Sequence, residues 1–453
     1  MTAPRIVVAG GGISGLVAGF TLRQEAARRN LPVTVTVLDA GDEPGGHART
    51  VVEDEWVVER GPNGFLDNAD GTRALIQELQ LESRVVESDA AARRRYILDK
   101  GALRLVPSSP PALLTSDAIG WRGKLRLLAE PFAPPAPSGK DESVFEFASR
   151  RLGNEAARTF VDTAVAGISA GDSRALSVRS QFPVLKEWEQ THGSLLKALL
   201  KRTGGSRPSR LVSFDGGMRV LTTALASRLN GAFCPQTPIR GIVRDNNVWR
   251  IQTRESSIIA DRVVLALPAH TAATVAATFD ANLSRVLADI PYAPIAVVAL
   301  GYRRSAIARP LDGYGYLVTR DQNLATLGVL WESSIFAGRA PADSVLLRIM
   351  LGGARHPEVR DFDDATVVSL AVAEATAVLG ISGVPLRQWV FRWPTAIAQY
   401  NIGHQARIDA IRRAVGAHPG LTVCGTAYDG VSFNDAIRSA QRAARNVIEE
   451  LAQ

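Results

Sequence analysis

Hydrophobic positions fall into blocks of different period along the chain. Ile6–Ala9 is a short apolar run without charge, as a parallel strand buried on both faces has. From Leu16 to Arg28 the pattern turns helical and amphipathic, and Val33–Leu38 reads as a second strand, so the chain opens as strand, helix, strand. Residues 72–92 predict a helix and connector leading to Ala91–Leu98 and a turn at Gly101. Proline clusters at Pro107–Pro111 and Pro131–Pro137 then punctuate helical stretches through about residue 205, including Trp121–Glu130 and Glu142–Leu152. Residues 211–270 predict a Gly-Gly turn, a helix (Arg219–Leu229), a β pair through Ile239 and Trp249, and a strand (Arg262–Leu267). A run rich in Val, Leu and Tyr over 292–352, with turns at Arg303, Asp321 and Arg339, predicts a mixed sheet over an apolar cavity. The helix Asp364–Leu379 and the strand Gln388–Trp393 complete that unit, and a strand (Leu421–Thr426), a loop and a helix (Asn434–Leu451) close the chain.

At 453 residues two or three domains are expected, and 46% hydrophobic with 21% charged residues describes a globular protein. The formal charge of +7 suits an anionic lipid or substrate as well as a plainly basic surface. Without a basic repeat interleaved with aromatics, no nucleic-acid partner is expected. The only cysteines, Cys234 and Cys424, sit in apolar or strand-like settings, so neither a disulfide nor a metal site is expected. With the first strand starting at residue 5 and no 18-residue apolar segment, the expectation is a cytoplasmic protein without signal peptide or membrane span. The helix at Trp121–Glu130, with Lys124 and Arg126, either packs on its own domain or lies on an anionic bilayer, peripherally on the inner face of the cell membrane.

Chemistry concentrates at Gly10-Gly11-Gly12-Ile13-Ser14-Gly15, between the first strand and its helix. The first glycine permits a tight turn, the second lets a pyrophosphate approach the backbone, and the third lets helix and strand pack closely. The helix N-terminus offers N–H groups and a positive dipole. Asp39 ends the second strand 24 residues after Gly15, close to the roughly 20 expected for the carboxylate that holds ribose hydroxyls. Its charge disfavours NADP. Gly45-Gly46 and the turn Gly61-Pro62-Asn63-Gly64 suit a cofactor that runs on past its pyrophosphate, so FAD fits better than NAD. The closing strand-loop-helix is what a discontinuous FAD domain needs. The expected division is FAD-binding parts at 1–92, 211–270 and 419–453, a helical, membrane-associating insert at 93–210, and a substrate domain at 271–418.

Motifs spread over nearly the whole length carry a resemblance. They include Glu59-x-Gly-Pro-Asn-Gly-Phe65, Arg95-Tyr96, Gly167-Ile-Ser-Ala-Gly-Asp172, Phe214-x-Gly-Gly-Met218, Asp261–His270, Asp312–Val318, Phe391-Arg-Trp-Pro394, Gln399–His404 and Gly430–Asp435. In this order they resemble the protoporphyrinogen oxidase family of flavoproteins. The resemblance implies an α/β and α+β architecture similar to the amine oxidase fold, with a Rossmann-like FAD domain beside a mixed-sheet substrate domain. It implies FAD held by Gly10 through Gly15, Asp39, His47, Gly61 through Gly64, the backbone of Ile239, Trp393, Thr426, and Val431, Ser432 and Phe433. It places Arg95 on a substrate propionate, Gly167 and Ala170 against the macrocycle, and Tyr314, Leu317 and Met350 as apolar walls.

Several positions depart from that pattern. Asp39 stands where Glu is usual, His47 follows Gly-Gly, Ala398 replaces a proline, and Ser169 stands where an aromatic is usual, removing bulk beside the expected substrate. The activity implied is oxygen-dependent oxidation of protoporphyrinogen IX, six hydrogens lost in three flavin turnovers with peroxide as product, by a monomer or homodimer. Coproporphyrinogen III, another substrate of amine oxidase-like enzymes, a non-catalytic flavin scaffold and a plain NAD dehydrogenase are the rivals. The six histidines fall in unrelated segments, so no general base or other catalytic side chain is expected, and the flavin carries the redox chemistry.

Overall fold

Strands, not helices, set the frame of the molecule. The computed structural model describes residues 3–136, 139–202 and 209–453; Pro137, the end of the second proline cluster, and 203–208, near the end of the expected helical insert, lie outside the described residues. A five-stranded, all-parallel sheet runs in the order Phe233–Cys234, Thr34–Leu38, Arg5–Ala9, Arg262–Leu265, Leu421–Val423. Because successive side chains of a strand point to opposite faces, Ile6 and Val8 join one core and Val7 and Ala9 another. The first also takes Leu16 and Val17 of the helix Ile13–Arg28 and Ile437 and Val447 of the helix Phe433–Ala452. The second takes Trp249, Ile251, Val263 and Leu287. The sheet thus gathers strands from the start, the middle and the end of the chain.

A second, mixed sheet has seven strands, in the order Arg387–Ala398, Tyr292–Arg303, Ser344–Gly352, Thr326–Trp331, Gly315–Val318, Arg95–Asp99, Ala102–Leu105. All its pairings are antiparallel except that of Gly315–Val318 with Arg95–Asp99. The hairpin Arg95–Leu105 therefore belongs to this sheet, not to the helical insert in which the expected boundary at 93 put it. One face is covered by the helix Asp364–Leu379, which buries Val367, Ala371, Ala375 and Leu379 at four-residue intervals. Its opposite face is the floor of the candidate site.

Helices dominate the described residues between 110 and 202. Val144–Leu152 starts with a reciprocal cap between Ser143 and Glu146, and Arg151, almost wholly buried, is neutralised by Glu130. Trp121–Leu128 leaves Trp121, Leu125 and Leu128 exposed, and Phe132 beyond it is 88% exposed. Among the described residues no helix is long and apolar enough to cross a membrane.

His404 shows how the core depends on pH. It is 3% exposed, stacks on Tyr400 at 3.8 Å, and has no partner for either ring nitrogen among the described residues. Burial, and then the nearby charge of Arg407, push it down to about 4. The unfolded chain protonates this histidine near pH 6.5 and the fold does not, so the stability it contributes is complete above pH 6.5 and is lost as pH falls towards 4. The slope is about 1.4 kcal/mol per pH unit. His404→Phe keeps the stack, so its unfolding free energy should fall by about 1 kcal/mol less than wild type between about pH 7.5 and 5.5; parallel losses would remove His404 as the cause.

Candidate cofactor and substrate site

The first glycines differ in what surrounds them. Gly10 has φ +107°, and a Cβ there would lie 2.6 Å from the carbonyl oxygen of Ala266. At Gly15 a Cβ would fall 1.7 Å from the Gly10 oxygen, so helix and turn are in direct contact. Gly12 instead has an ordinary extended backbone, φ −69° and ψ 176°, and its nearest neighbour would be the Gly46 Cα at 3.9 Å. That space is open. The helix that follows has no side-chain cap and no acidic residue in its first turn, so its leading N–H groups and dipole face the same opening. Ile13 packs into the core and Ser14 Oγ reaches the Ala436 oxygen at 3.5 Å, tying the cradle to the last helix.

A second glycine loop completes the cradle. Gly45 N donates to Gly11 O at 2.8 Å, and Gly12 and Gly45 form an isolated bridge. Asp39 accepts from Gly11 N at 2.5 Å with one oxygen and from Gly41 N at 2.7 Å with the other; lone pairs remain for ligand hydroxyls. Thr237 N donates to Asp39 O and Gln236 N to Gly41 O, which carries the segment up to Ile239 to this end of the sheet. An uncapped helix, an open Gly12 and a carboxylate at the neighbouring strand end fit a dinucleotide.

At the far end the chain closes through Gly425–Phe433. Tyr400 OH donates to Thr426 O and accepts from Gly430 N, both at 2.7 Å. Ser432 and Asp435 cap the last helix reciprocally. The hydroxyl and N–H of Ser432 are therefore used in the fold. Val431 is half-buried, and Phe433 stacks on Phe65 with centroids 5.5 Å apart.

The Gly61–Gly64 turn lies against the second glycine loop, since a Cβ on Gly61 would be 2.2 Å from His47 O. Pro62 is half-buried and Asn63 buried, with Asn63 Nδ2 donating to the Glu332 carboxylate at 3.3 and 3.4 Å. A Cβ on Gly64 would meet Val212 O at 2.5 Å. Trp393 Nε1 donates to Arg60 O at 2.8 Å, and its ring meets the edge of His47 at 4.5 Å. His47 keeps accessible surface although protein surrounds it; desolvation, then His270 and Arg49, push it down to about 4, so the ring is neutral. Sequence spacing gave no sign that His47 and His270 share a neighbourhood. His270 Nε2 lies 3.1 Å from Thr395 Oγ1 and its ring 4.9 Å from Tyr292.

Strand register lays out the substrate face. One transverse row holds Phe391, Val297, Met350, Gly328, Leu317 and Ile97; the next holds Ala299, Arg348, Leu330, Gly315 and Arg95. Arg95 is exposed, with its guanidinium 5.2 Å over the ring of Tyr314, and no acidic partner is found among the described residues. Arg94 instead pairs with Asp312 at 2.8 Å. Burial, and then Glu332, push the Tyr314 hydroxyl up. Gly167 touches the wall, since a Cβ there would be 2.7 Å from both Leu317 methyl groups.

Two readings of this wall change. Ser169 is fully buried, its hydroxyl donating to Val165 O at 3.1 Å and its carbonyl accepting from Gln399. It does not thin the wall, because a serine ending a helix turns back on the preceding turn. Ile168 beside it is 56% exposed. Ala170 is buried with Ala166, Ala293 and Leu327, and contributes a left-handed backbone (φ +51°) whose carbonyl accepts from Ala354 N at 2.7 Å. The buried pair Arg348–Glu332, 2.9 Å apart, had no sequence signal beyond Arg348 lying two residues from Met350; Arg348 also donates to Gly61 O.

Comparison with known proteins agrees with this geometry. The family described as flavin containing amine oxidoreductase matches residues 13–448. The protoporphyrinogen oxidase of Homo sapiens is 33% identical over 480 residues, covering 98% of each chain. The coproporphyrinogen III oxidase of Bacillus subtilis (strain 168) is 28% identical over 466 residues, again 98% of each. In fold, the chain is similar to a crystal structure from Exiguobacterium sp. 255-15 assigned as a protoporphyrinogen oxidase (TM-score 0.86, 24% identity, all of both chains). It is also similar to the cyclohexylamine oxidase of Brevibacterium oxydans IH-35A (TM-score 0.71, 17% identity, all of both chains).

Proposed function

The chain belongs to the flavin-containing amine oxidoreductases and is an FAD-dependent oxidoreductase; from that premise we propose that it oxidises protoporphyrinogen IX to protoporphyrin IX with dioxygen as acceptor. Arg95 carries the reading. A porphyrinogen is an uncharged apolar macrocycle with carboxylate arms, so it requires an apolar wall with a cation at the rim. Ile97, Leu317 and Met350 offer the wall, and Arg95 is a cation on the same sheet face without an acid partner among the described residues, while its neighbour Arg94 is neutralised by Asp312. A guanidinium grips a carboxylate with two parallel hydrogen bonds.

FAD, when bound, would supply the redox chemistry, a two-electron oxidation with dioxygen as final acceptor and peroxide as product, so a porphyrinogen losing six hydrogens needs three rounds. Gly10–Gly15 and Asp39 would hold the nucleotide, and the Gly61–Gly64 turn, Trp393 and the closing loop 426–433 would hold the remainder. Neutral His47 adds no charge there. Proton loss from the macrocycle goes to water. In this reading 1–92, 211–270 and 419–453 form the cofactor domain and 271–418 the substrate domain, which the hairpin Arg95–Leu105 joins.

Coproporphyrinogen III is the second reading, favoured by the Bacillus subtilis relative that spans the whole chain. Air oxidation of both porphyrinogens, followed by porphyrin fluorescence, decides. A kcat/KM at least about tenfold higher for protoporphyrinogen, or about 1.4 kcal/mol, supports the first reading. The reverse order installs the second, and failure with both overturns the two together.

The same reading puts the helix Trp121–Leu128 on an anionic membrane surface at the inner face of the cell membrane, with Trp121, Leu125, Leu128 and Phe132 as its apolar ridge. Arg126 turns inward onto the carbonyls of Arg150 and Arg151, so it is not part of that surface. Trp121→Ser with Phe132→Ser should lower vesicle flotation by roughly tenfold or more, since each large apolar side chain contributes about 1.5–3 kcal/mol on burial. Unchanged flotation, or none by wild type, would remove the membrane from this account.

A further inference from the structure

We propose that Arg320 is a positioning residue that clamps the segment 162–172, one wall of the substrate cavity, into its binding-competent shape. The ligand in this proposal rests on the porphyrinogen reading above; the clamp rests on geometry alone. The wall is the helix Thr163–Ser169, which presents Gly167 to Leu317. It is entered through a π-helical turn, Ala157–Asp162, and left through Ala170 in a left-handed conformation. Both are departures from regular backbone that surrounding contacts must hold in place.

One guanidinium reaches both ends. Arg320 Nε lies 3.1 Å from Asp162 Oδ2, and its terminal nitrogens lie 3.1 Å from Asp162 Oδ1, 2.6 Å from Asp172 Oδ1 and 3.4 Å from Asp172 Oδ2. Arg320 follows the strand Gly315–Val318, which carries Leu317, so the clamp and the surface it closes on share one rigid element. Asp162 is buried, and also accepts from Ser173 Oγ at 2.6 Å and pairs with Arg355 at 2.9 Å. Between the clamped ends, Ala170 O accepts from Ala354 N and Ser169 O from Gln399, while Ile168 stays exposed. Burial pushes the Asp162 carboxyl up, but Arg320, Arg355 and Ser173 outweigh it and hold the group below its ordinary range. Only a planar fork joins two carboxylates in this way, which a lysine cannot reproduce. Loosening the wall lowers the fraction of molecules ready to bind, and apparent affinity falls by that fraction.

Asp172→Asn is the main test, because Asp172 is half-buried at the outer end of the segment, beyond the wall helix Thr163–Ser169, and its loss leaves Asp162 paired with Arg320. In FAD-loaded protein without substrate, hydrogen exchange of amides 163–171 should rise about tenfold, the factor expected for one charge-assisted pair, with exchange elsewhere unchanged. The Kd for protoporphyrin IX, read by quenching of its fluorescence, and the KM for porphyrinogen should rise by the smaller factor by which the competent fraction falls, about twofold or more. Flavin absorbance and kcat should stay put, as a general loss of structure would not allow. Arg320→Gln, which frees both ends, should do at least as much as Asp172→Asn, their combination should be no worse than Arg320→Gln alone, and Arg320→Lys should recover little. Unchanged exchange overturns the clamp. Raised exchange with unchanged Kd overturns its role in binding. Raised exchange in a protein whose wild type binds no porphyrin leaves the clamp standing and overturns the ligand.

Discussion

Purified Gly12→Val protein is expected to be folded and colourless, while the wild type carries flavin absorbance that is released on denaturation. The backbone of Gly12 is one any residue adopts, and a Cβ there meets nothing nearer than 3.9 Å, so the substitution spares the fold. What it fills is the space where an anionic phosphate meets the helix N-terminus. Displacing two backbone hydrogen bonds to a charged oxygen, at about 1.5–3 kcal/mol each, weakens FAD binding roughly 10²- to 10⁴-fold. Gly15→Ala is the contrast, since its Cβ would sit 1.7 Å from the Gly10 oxygen and the helix could not seat. Circular dichroism and the absorbance near 450 nm separate the two variants. A folded, fully yellow Gly12→Val protein would move the cofactor elsewhere.

Arg95→Ala should lower kcat/KM by roughly 10- to 150-fold, the loss of a charge-assisted pair worth about 1.5–3 kcal/mol. Its neighbours supply the controls. Arg94 is held by Asp312 and Tyr96 at the edge of the sheet, and Arg93 is exposed at the end of a short turn, so neither should matter much. Arg95 alone stands over Tyr314 on the face with Leu317. Esterifying the substrate's propionates should therefore penalise wild type and leave Arg95→Ala nearly unaffected. Equal kinetics for Arg93→Ala and Arg95→Ala, or equal penalties from the ester, would take the propionate away from Arg95.

Local signals account for what the sequence reveals. The helix Asp364–Leu379 lies where periodicity puts it because its ends are chemical: Asp363 caps it and Gly380, at φ +63°, ends it. The opening strand-helix-strand is equally local. The strand expected at Gln388–Trp393 extends over Arg387–Ala398 because its length is set by pairing with Tyr292–Arg303, and its edge position tolerates Pro394. The hairpin Arg95–Leu105 joins the mixed sheet through Gly315–Val318, more than two hundred residues away, a pairing that no local pattern announces. Ser169 turns inward onto Val165 O, a direction that its residue type does not announce. The Arg348–Glu332 pair and the approach of His47 to His270 arise only when distant strands and loops converge, and no spacing announces them.

The most direct measurement follows oxygen uptake, peroxide and porphyrin together, in a closed vessel, with freshly reduced protoporphyrinogen IX and FAD-loaded protein. Three peroxides formed and three oxygens consumed per porphyrin, with the Gly12→Val protein at the rate of the protein-free control, is the predicted result. Porphyrin appearing no faster with wild type than in that control, while another amine or polyene substrate drives oxygen uptake, would contradict the account.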